Sequence, residues 1–154
     1  MKSEPKYGID FPAIATTFYC HDGHGNFLLH KRSTQTRDDQ GTWDVGGGKL
    51  EQGLTLRQNI LKEIGEEYGC TGVIQEQLPI YEIFRTNKGV KTHWLAIPFI
   101  VKVNPKKVKI NEPHKIDELG WFSLSKLPKP LHPGSAIGFR QNKKYFAKYS
   151  KKKI

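Results

Sequence analysis

The centre of this chain reads Gly46-Gly-Gly-Lys-Leu-Glu-Gln-Gly53, then Leu54-Thr-Leu-Arg-Gln-Asn-Ile-Leu-Lys-Glu-Ile-Gly-Glu-Glu-Tyr68, and then Gly69. Three adjacent glycines make a poor strand and a poor helix. They predict a loop whose backbone turns sharply or lets another group come close. The periodic run that follows predicts a helix over residues 54–68, because Gly69 stands where a glycine commonly ends a helix.

Three carboxylates of this predicted helix lie on one side of it. At about 100° per residue, Glu63, Glu66 and Glu67 fall within an arc of roughly 100° beside the apolar face. Like charges at this spacing destabilise a bare helix. A hard divalent cation such as Mg²⁺ would offset them, since Mg²⁺ takes oxygen ligands and binds through a few carboxylates plus substrate phosphates. The simpler alternative is an acidic face that is merely solvated.

The glycines and the carboxylates together resemble the Nudix box, which covers Gly48 to Cys70 here. That box reads glycine, five residues, Glu, seven residues, then Arg-Glu-apolar-x-Glu-Glu-x-Gly-apolar. Every spacing fits, and the matching residues are Gly48, Glu63, Ile64, Glu66, Glu67, Gly69 and Cys70. Two positions depart from the pattern, because Leu54 replaces the first Glu and Lys62 replaces the Arg.

In Nudix proteins that Glu and that Arg are understood to support the catalytic carboxylates by pairing with each other and with the helix. Leu54 cannot accept a hydrogen bond, and Lys62 keeps a charge without the planar fork of arginine. The two changes are consistent with one replaced interaction. We therefore interpret the chain as an enzyme with altered support around its ligands, a kind of change that often costs about 10–100-fold.

The resemblance implies an α/β (α+β) fold with a mixed β-sheet sandwiched between α-helices in a single domain. It also implies hydrolysis of a nucleoside diphosphate linked to another group, with Mg²⁺ or Mn²⁺ as cofactor. A nucleoside triphosphate, possibly oxidised, is the first expectation for the substrate. ADP-ribose, another nucleoside-diphosphate sugar, a dinucleoside polyphosphate and capped RNA stay open, as does a non-catalytic module that senses a nucleotide.

The resemblance also assigns metal ligands. They are the carboxylates of Glu63, Glu66 and Glu67 and the backbone carbonyl of Gly48, with Lys62 in the same catalytic group. Many family members place one further carboxylate in the loop before a late Trp-Phe strand. The candidates in that loop are Glu112, Asp117 and Glu118, of which Glu112 and Glu118 are favoured.

Four residues are candidates for holding the substrate. They are Arg32, Gly47, His93 and Trp94. An arginine can meet phosphate, and aromatic faces stack on bases. A surface position for Arg32, and plain core packing for His93 and Trp94, are the alternatives.

Composition limits the class of protein. With 154 residues, 36% hydrophobic residues and a mean hydropathy of −0.60, the chain predicts one polar, soluble domain. Its longest uncharged apolar stretch, residues 94–101, is too short to span a bilayer. The first residues lack the apolar core of a signal peptide. Two cysteines without metal-type spacing predict free thiols. We therefore expect a cytoplasmic monomer or homodimer.

The positive charge is concentrated at the C-terminus. The net charge is +10, and six lysines lie in residues 143–154, which contain no acid, so the rest of the chain carries +10 − 6 = +4. A basic surface attracts phosphorylated ligands and can contact nucleic acid nonspecifically. A tail that only improves solubility is the alternative.

The remaining elements follow from composition. We expect a lead-in at residues 1–10, the Nudix domain at 11–149 and a basic tail at 150–154. Strands are predicted at residues 11–20 and 27–32 as a hairpin, and at 73–85 and 92–103. A late Trp-Phe strand and a short Leu-Pro helix follow them. Ser135 is expected to cap a last helix over about 136–149.

Overall fold

The computed structural model describes residues 2–150, so most of the predicted basic tail, residues 151–154, lies outside the described residues. The strands are β1 (Ala13–His21), β2 (Phe27–Arg32), β3 (Trp43–Asp44), β4 (Gly46–Lys49), β5 (Val73–Gln77), β6 (Tyr81–Asn87), β7 (Val90–Lys102) and β8 (Ile116–Phe122). The helices are α1 (Leu56–Tyr68), α2 (Pro133–Gln141) and α3 (Lys143–Ser150). Within residues 2–150, none of the helices has both the length and the apolar character needed to cross a bilayer.

Strand β1 lies at the centre of a mixed sheet. It pairs in parallel with β7 and antiparallel with β2 and β4. Strand β2 also pairs antiparallel with β3 and β8, and β7 pairs antiparallel with β5 and β6. The predicted hairpin of the first two strands is confirmed by the pairing of His21 with Phe27.

Helices cover both faces of the sheet, which confirms the predicted sandwich. Side chains alternate along a strand, so Phe18 faces α1 while Tyr19 faces α2 and α3. Phe18 packs in one buried cluster with Ile60 and Ile64 of α1. Tyr19 packs in a second cluster that includes Phe139 of α2 and Phe146 of α3.

Helix α1 begins and ends close to its predicted bounds. Thr55 is the N-cap, and its side chain accepts a hydrogen bond from the backbone of Gln58 in a complete capping box. Gly69 ends the helix with a φ of 62°, in the left-handed region that glycine adopts without cost, as predicted.

The triple glycine forms a strand, so the prediction of a loop there was wrong. Residues 46–49 pair with β1, and Gly47 lies opposite Thr17. The missing side chains leave space that the neighbours fill. A Cβ placed on Gly46 would lie 1.8 Å from the ring of Phe18, which is fully buried. Close approach therefore explains these glycines better than a turn does.

Two other predicted segments are divided in the structure. The strand predicted over residues 73–85 is interrupted at 78–80, where the chain passes from β5 to β6. The last helix is two helices that meet at Asn142. Its predicted cap is also corrected, because His132 caps α2 and Ser135 lies inside it. Ser135 instead donates a hydrogen bond to Asp44, 2.6 Å away.

One buried amide ties α1 to the glycine strand and to β1. The Asn59 side chain donates to Thr16 Oγ1 at 2.8 Å and to the Lys49 carbonyl at 3.3 Å. It also accepts from the Glu51 backbone N–H at 3.1 Å. Asn59 itself is fully buried. This residue therefore fixes the helix against the strand beside it.

We expect Asn59→Ala to lower the free energy of unfolding by about 2–3 kcal/mol, because it leaves several buried polar groups without partners. Urea unfolding followed by circular dichroism measures the change. Gln52→Ala, at an exposed amide nearby, is the control. Equal stabilities of the two variants would contradict the structural importance of Asn59.

Candidate functional site

The three glutamates of α1 differ in burial. Glu67 is buried with 8% of its surface exposed, Glu63 is half-buried, and Glu66 is exposed. Glu63 and Glu67 lie against the glycine strand, whereas Glu66 pairs with Lys62. The helix thus places its three carboxylates at graded depths.

The glycine strand lies directly against two of these carboxylates. A Cβ on Gly48 would lie 2.4 Å from the carboxyl carbon of Glu63. The backbone of Gly47 lies close enough to Glu67 to favour the ionised form of its carboxylate. The absence of side chains at these positions therefore lets the backbone reach the carboxylates.

Burial and mutual repulsion make these carboxylates resist ionisation. Desolvation raises the pKa of Glu67 well above its ordinary value, and the charge of Glu63 adds to the rise. Desolvation and the charge of Glu66 likewise raise the pKa of Glu63. A cation would relieve both effects, since it stabilises the ionised forms.

Two buried carboxylate oxygens favour a cation by their lack of partners. Within residues 2–150, Glu67 Oε2 and Glu112 Oε1 are buried and accept no hydrogen bond. Native proteins seldom leave such groups unsatisfied, and hard cations prefer oxygen ligands. Over the same residues, however, no three acidic, histidine or cysteine side chains already converge as a metal-binding group. The donor atoms fit a hard cation chemically, but these side chains do not surround a single point.

A cavity of about 490 Å³ opens above these carboxylates, and we call it the carboxylate cavity. Glu67, Glu112 and the three glycines line it, as do Arg37 and Lys115. Lys115 also pairs with the other oxygen of Glu112, at 3.4 Å. The cavity therefore has acidic groups on one side and cationic groups next to them.

The late loop contributes one of its three candidate carboxylates to this cavity. Glu112 lines it, whereas Asp117 and Glu118 are exposed on β8 and do not. Glu118 instead lies 3.7 Å from the amine of Lys31. Among the three, the geometry favours Glu112 as a site residue.

Lys62 lies between two carboxylates at the rim of the site. Its amine is 2.6 Å from Glu66 Oε1 and 3.3 Å from Glu51 Oε2. These neighbours raise the pKa of Lys62, with the hydrogen bond to Glu66 as the largest cause. Lys62 thus reaches Glu66 on its own helix, and its second partner is Glu51 rather than the residue at position 54.

A second cavity, of about 520 Å³, adjoins the first, and we call it the tryptophan cavity. Trp94, Ile83, Val90 and Arg85 line it. The two cavities share a border formed by Ala15, Arg32, Arg37, Asp44, Ile83 and His132. Together they form a long cleft that runs from carboxylates at one end to an indole at the other.

The candidate substrate residues lie in different places. Gly47 lines the carboxylate cavity, Trp94 lines the tryptophan cavity, and Arg32 lies at their border. The Arg32 guanidinium is already paired with Asp38 at 2.8 Å. His93 lines neither cavity, because the alternation along β7 turns it away, where it stacks on Phe84.

Sequence reasoning missed the polar network at the border of the cavities. Asp44 accepts a hydrogen bond from Ser135 and lies 3.4 Å from Arg32. Burial alone would raise the pKa of Asp44, but the charge of His132 and these partners outweigh it and lower the pKa. His132 also lies 3.3 Å from Asp39, which pairs with Arg85. These residues come from three widely separated stretches of the chain, 32–44, 85 and 132–135, so no local sequence pattern predicts the network.

Glu67→Gln should make the metal-free protein more stable at neutral pH. The raised pKa of Glu67 means that the folded state binds more protons than the unfolded state above the ordinary value of 4.5. Stability therefore falls as pH rises through this window, and Gln removes that loss. Urea unfolding in EDTA should show little difference between variant and wild type below pH 4.5 and a growing difference above it. A difference that shrinks with rising pH would contradict this.

The chain resembles known proteins in both sequence and fold. The NUDIX domain family model matches residues 11–141. A MutT protein from Methanosarcina mazei Go1 has a similar structure, with a TM-score of 0.70, 28% identity, and coverage of 92% of this chain and 97% of that one.

Two curated relatives carry names that describe an activity. An ADP-ribose pyrophosphatase from Methanocaldococcus jannaschii is 25% identical over 77% of this chain and 66% of its own length. A CTP pyrophosphohydrolase from Escherichia coli K12 is 28% identical over 48% of this chain and 54% of its own length. The matches thus span less than two thirds of either relative.

Proposed function

Since this chain belongs to the NUDIX domain family, we propose that it is a metal-dependent pyrophosphohydrolase that cleaves a phosphoanhydride bond of a nucleoside diphosphate linked to another group. The observation that carries the proposal is the pair of buried carboxylate oxygens, Glu67 Oε2 and Glu112 Oε1, that lack partners within residues 2–150 beside the carboxylate cavity. They suit a divalent cation, which phosphoanhydride hydrolysis uses to neutralise charge.

The residues that would hold Mg²⁺ or Mn²⁺ are the carboxylates of Glu63, Glu66, Glu67 and Glu112, with the carbonyl of Gly48. When bound, the ion neutralises charge on phosphate oxygens and acidifies a coordinated water. The cleft would hold the diphosphate beside these residues. One of the crowded carboxylates would take the proton of the attacking water, because such groups titrate together and keep one member available as a base.

Cationic side chains beside the acids would bind the rest of the phosphate chain. Arg37 lies at the border of both cavities, and Lys115 lies beside Glu112. The Arg32 guanidinium pairs with Asp38. We therefore propose that Arg32 positions the loop that carries Arg37 and does not bind phosphate itself. The phosphates would thus lie between two positively charged surfaces: the ion that the acids hold on one side and these cationic side chains on the other.

For the substrate, we infer a nucleoside triphosphate, with the base in the tryptophan cavity. The apolar wall formed by Ile83, Val90 and Trp94 offers a surface against which a base can stack. The two named relatives act on ADP-ribose and on CTP. Both compounds carry a nucleoside next to a phosphoanhydride, which agrees with the two-part cleft. A cytoplasmic location stays a prediction.

The experiment that tests this function is a substrate screen. Purified protein is incubated with nucleoside triphosphates, oxidised nucleoside triphosphates, ADP-ribose, dinucleoside polyphosphates and capped RNA, each with Mg²⁺ and with Mn²⁺. Released phosphate and pyrophosphate are measured. Metal-dependent turnover of a nucleotide supports the proposal. Tight nucleotide binding without turnover would favour a sensor module.

Trp94→Ala is expected to raise KM for the preferred nucleotide about 10-fold, because base stacking contributes about 1–3 kcal/mol per base. The value of kcat should change less, since Trp94 does not line the carboxylate cavity. Phe84→Ala is the matched control, as that aromatic residue is exposed on the same hairpin outside both cavities. An unchanged KM in a folded Trp94→Ala variant would contradict the proposal that the base binds in the tryptophan cavity.

A further inference from the structure

The charged group that the box lacks at Leu54 has a substitute nearby. We propose that Glu51 performs the supporting function of the missing glutamate and, through Lys62, positions the carboxylate of Glu66. The inference rests on the proposed function, because Glu66 is one of its suggested metal ligands. It makes Glu51 a positioning residue that has no contact with the substrate.

The geometry places Lys62 as a bridge. Its amine lies 2.6 Å from Glu66 Oε1 and 3.3 Å from Glu51 Oε2. The pair of Lys62 and Glu66 is an i, i+4 pair on α1, whereas Glu51 approaches from the segment that precedes the helix. A lysine amine is a compact point charge with three donors, so it can serve two carboxylates that arrive from different directions.

The backbone of Glu51 is fixed relative to α1. Its N–H donates to the side chain of Asn59 at 3.1 Å, and its carbonyl accepts from the N–H of Leu54 at 3.2 Å. Asn59 lies three residues before Lys62, on the same side of the helix. Glu51 is therefore held in register with the helical residues that it must support.

The replacement of the box glutamate by leucine also has a use on the outer surface. Leu54 lines a groove together with Tyr7, Phe11 and Ile14 of the N-terminal part of the chain. An aliphatic side chain suits these apolar neighbours, while Glu51 lines the same groove and keeps its carboxylate exposed. Position 54 lines this groove, and position 51 supplies the acid that reaches Lys62.

Glu51 is expected to affect both the charge that Lys62 presents to Glu66 and the orientation of the Glu66 carboxylate. Without Glu51, Lys62 would pair with Glu66 alone and would compete with a cation for that carboxylate. With Glu51 present, the lysine charge is shared, and the Glu66 carboxylate is held in place while keeping its affinity for a cation. Removal of Glu51 should therefore weaken the binding of a divalent ion without unfolding the protein.

The test measures Mn²⁺ affinity by electron paramagnetic resonance, kcat and KM for the best nucleotide, and urea unfolding. We expect Glu51→Ala to weaken Mn²⁺ binding and to lower kcat by about threefold to tenfold, between the effects of exposed ion pairs and of outer ligands. KM and unfolding should stay near the wild-type values. Glu82→Ala is the matched control, because Glu82 is similarly exposed and is paired with His93.

Two further variants show whether Glu51 acts through Lys62. The double variant Glu51→Ala with Leu54→Glu returns the acid to its family position and should restore Mn²⁺ affinity. Adding Glu51→Ala to Lys62→Met should cause no further loss, as expected for residues that act as one unit. Wild-type Mn²⁺ affinity in Glu51→Ala, or independent losses in the cycle, would overturn the inference. A wild-type protein that hydrolyses no nucleotide, with the Mn²⁺ pattern intact, would overturn the proposed reaction alone.

Discussion

Glu67→Gln is expected to reduce metal-dependent nucleotide hydrolysis by more than about 100-fold, beyond the loss typical of outer-shell groups. The substitution keeps the shape of the side chain but removes the charge beside the carboxylate cavity. Of the three box glutamates, Glu67 is the most deeply buried. Single-turnover and steady-state rates with Mg²⁺ and Mn²⁺, measured on the substrate found by the screen, give the size of the loss.

The same variant provides its own control for folding, because its metal-free form should be at least as stable as the wild type at neutral pH. Glu82→Gln removes a charge of equal size on β6, outside both cavities, and should keep wild-type turnover. Unchanged hydrolysis in Glu67→Gln would sink the assignment of this cavity as the active site.

Gly46→Ala is expected to lower the free energy of unfolding by about 1–3 kcal/mol or more, in the range of overpacked cores. The new Cβ would lie 1.8 Å from the Phe18 ring, which is fully buried between β1 and α1. Either the ring or β4 must move, and both are held by the sheet. Urea and thermal unfolding measure the effect.

Gly65→Ala makes the same chemical change on α1 and should have the opposite sign. Its Cβ would meet its nearest described neighbour at 3.9 Å, an ordinary contact. Alanine is better than glycine inside a helix by about 1 kcal/mol. If both variants were destabilised alike, crowding at Gly46 would not be the cause.

Local patterns were sufficient where one segment sets the structure. The period of the run after Gly53 predicted α1, and Gly69 marked its end, because helix bounds depend on neighbours within a turn or two. The spacing of Glu63, Glu66 and Glu67 also followed from helical geometry. The resemblance supplied the sandwich, which periodicity alone did not contain.

The failures came where distant segments meet. The three glycines have low strand propensity, yet pairing with β1 overrides it and supplies their hydrogen bonds. The side chains of Asp44, Arg85 and His132 gather at the cavity border only after the sheet has formed. The family pattern directs attention to position 54, and only the folded chain shows that the acid from outside α1 that reaches Lys62 is Glu51.

Substitutions at different glycines of β4 should impair the protein in two different ways, through its stability or through its activity. In a saturating mutational scan, changes at Gly46 should deplete the protein in cells, since its neighbour Phe18 belongs to the core. Changes at Gly48 should leave abundance nearer normal while activity disappears, since its neighbour is Glu63. A scan that measures both abundance and activity would therefore show different phenotypes for substitutions at Gly46 and at Gly48, although both belong to one four-residue strand.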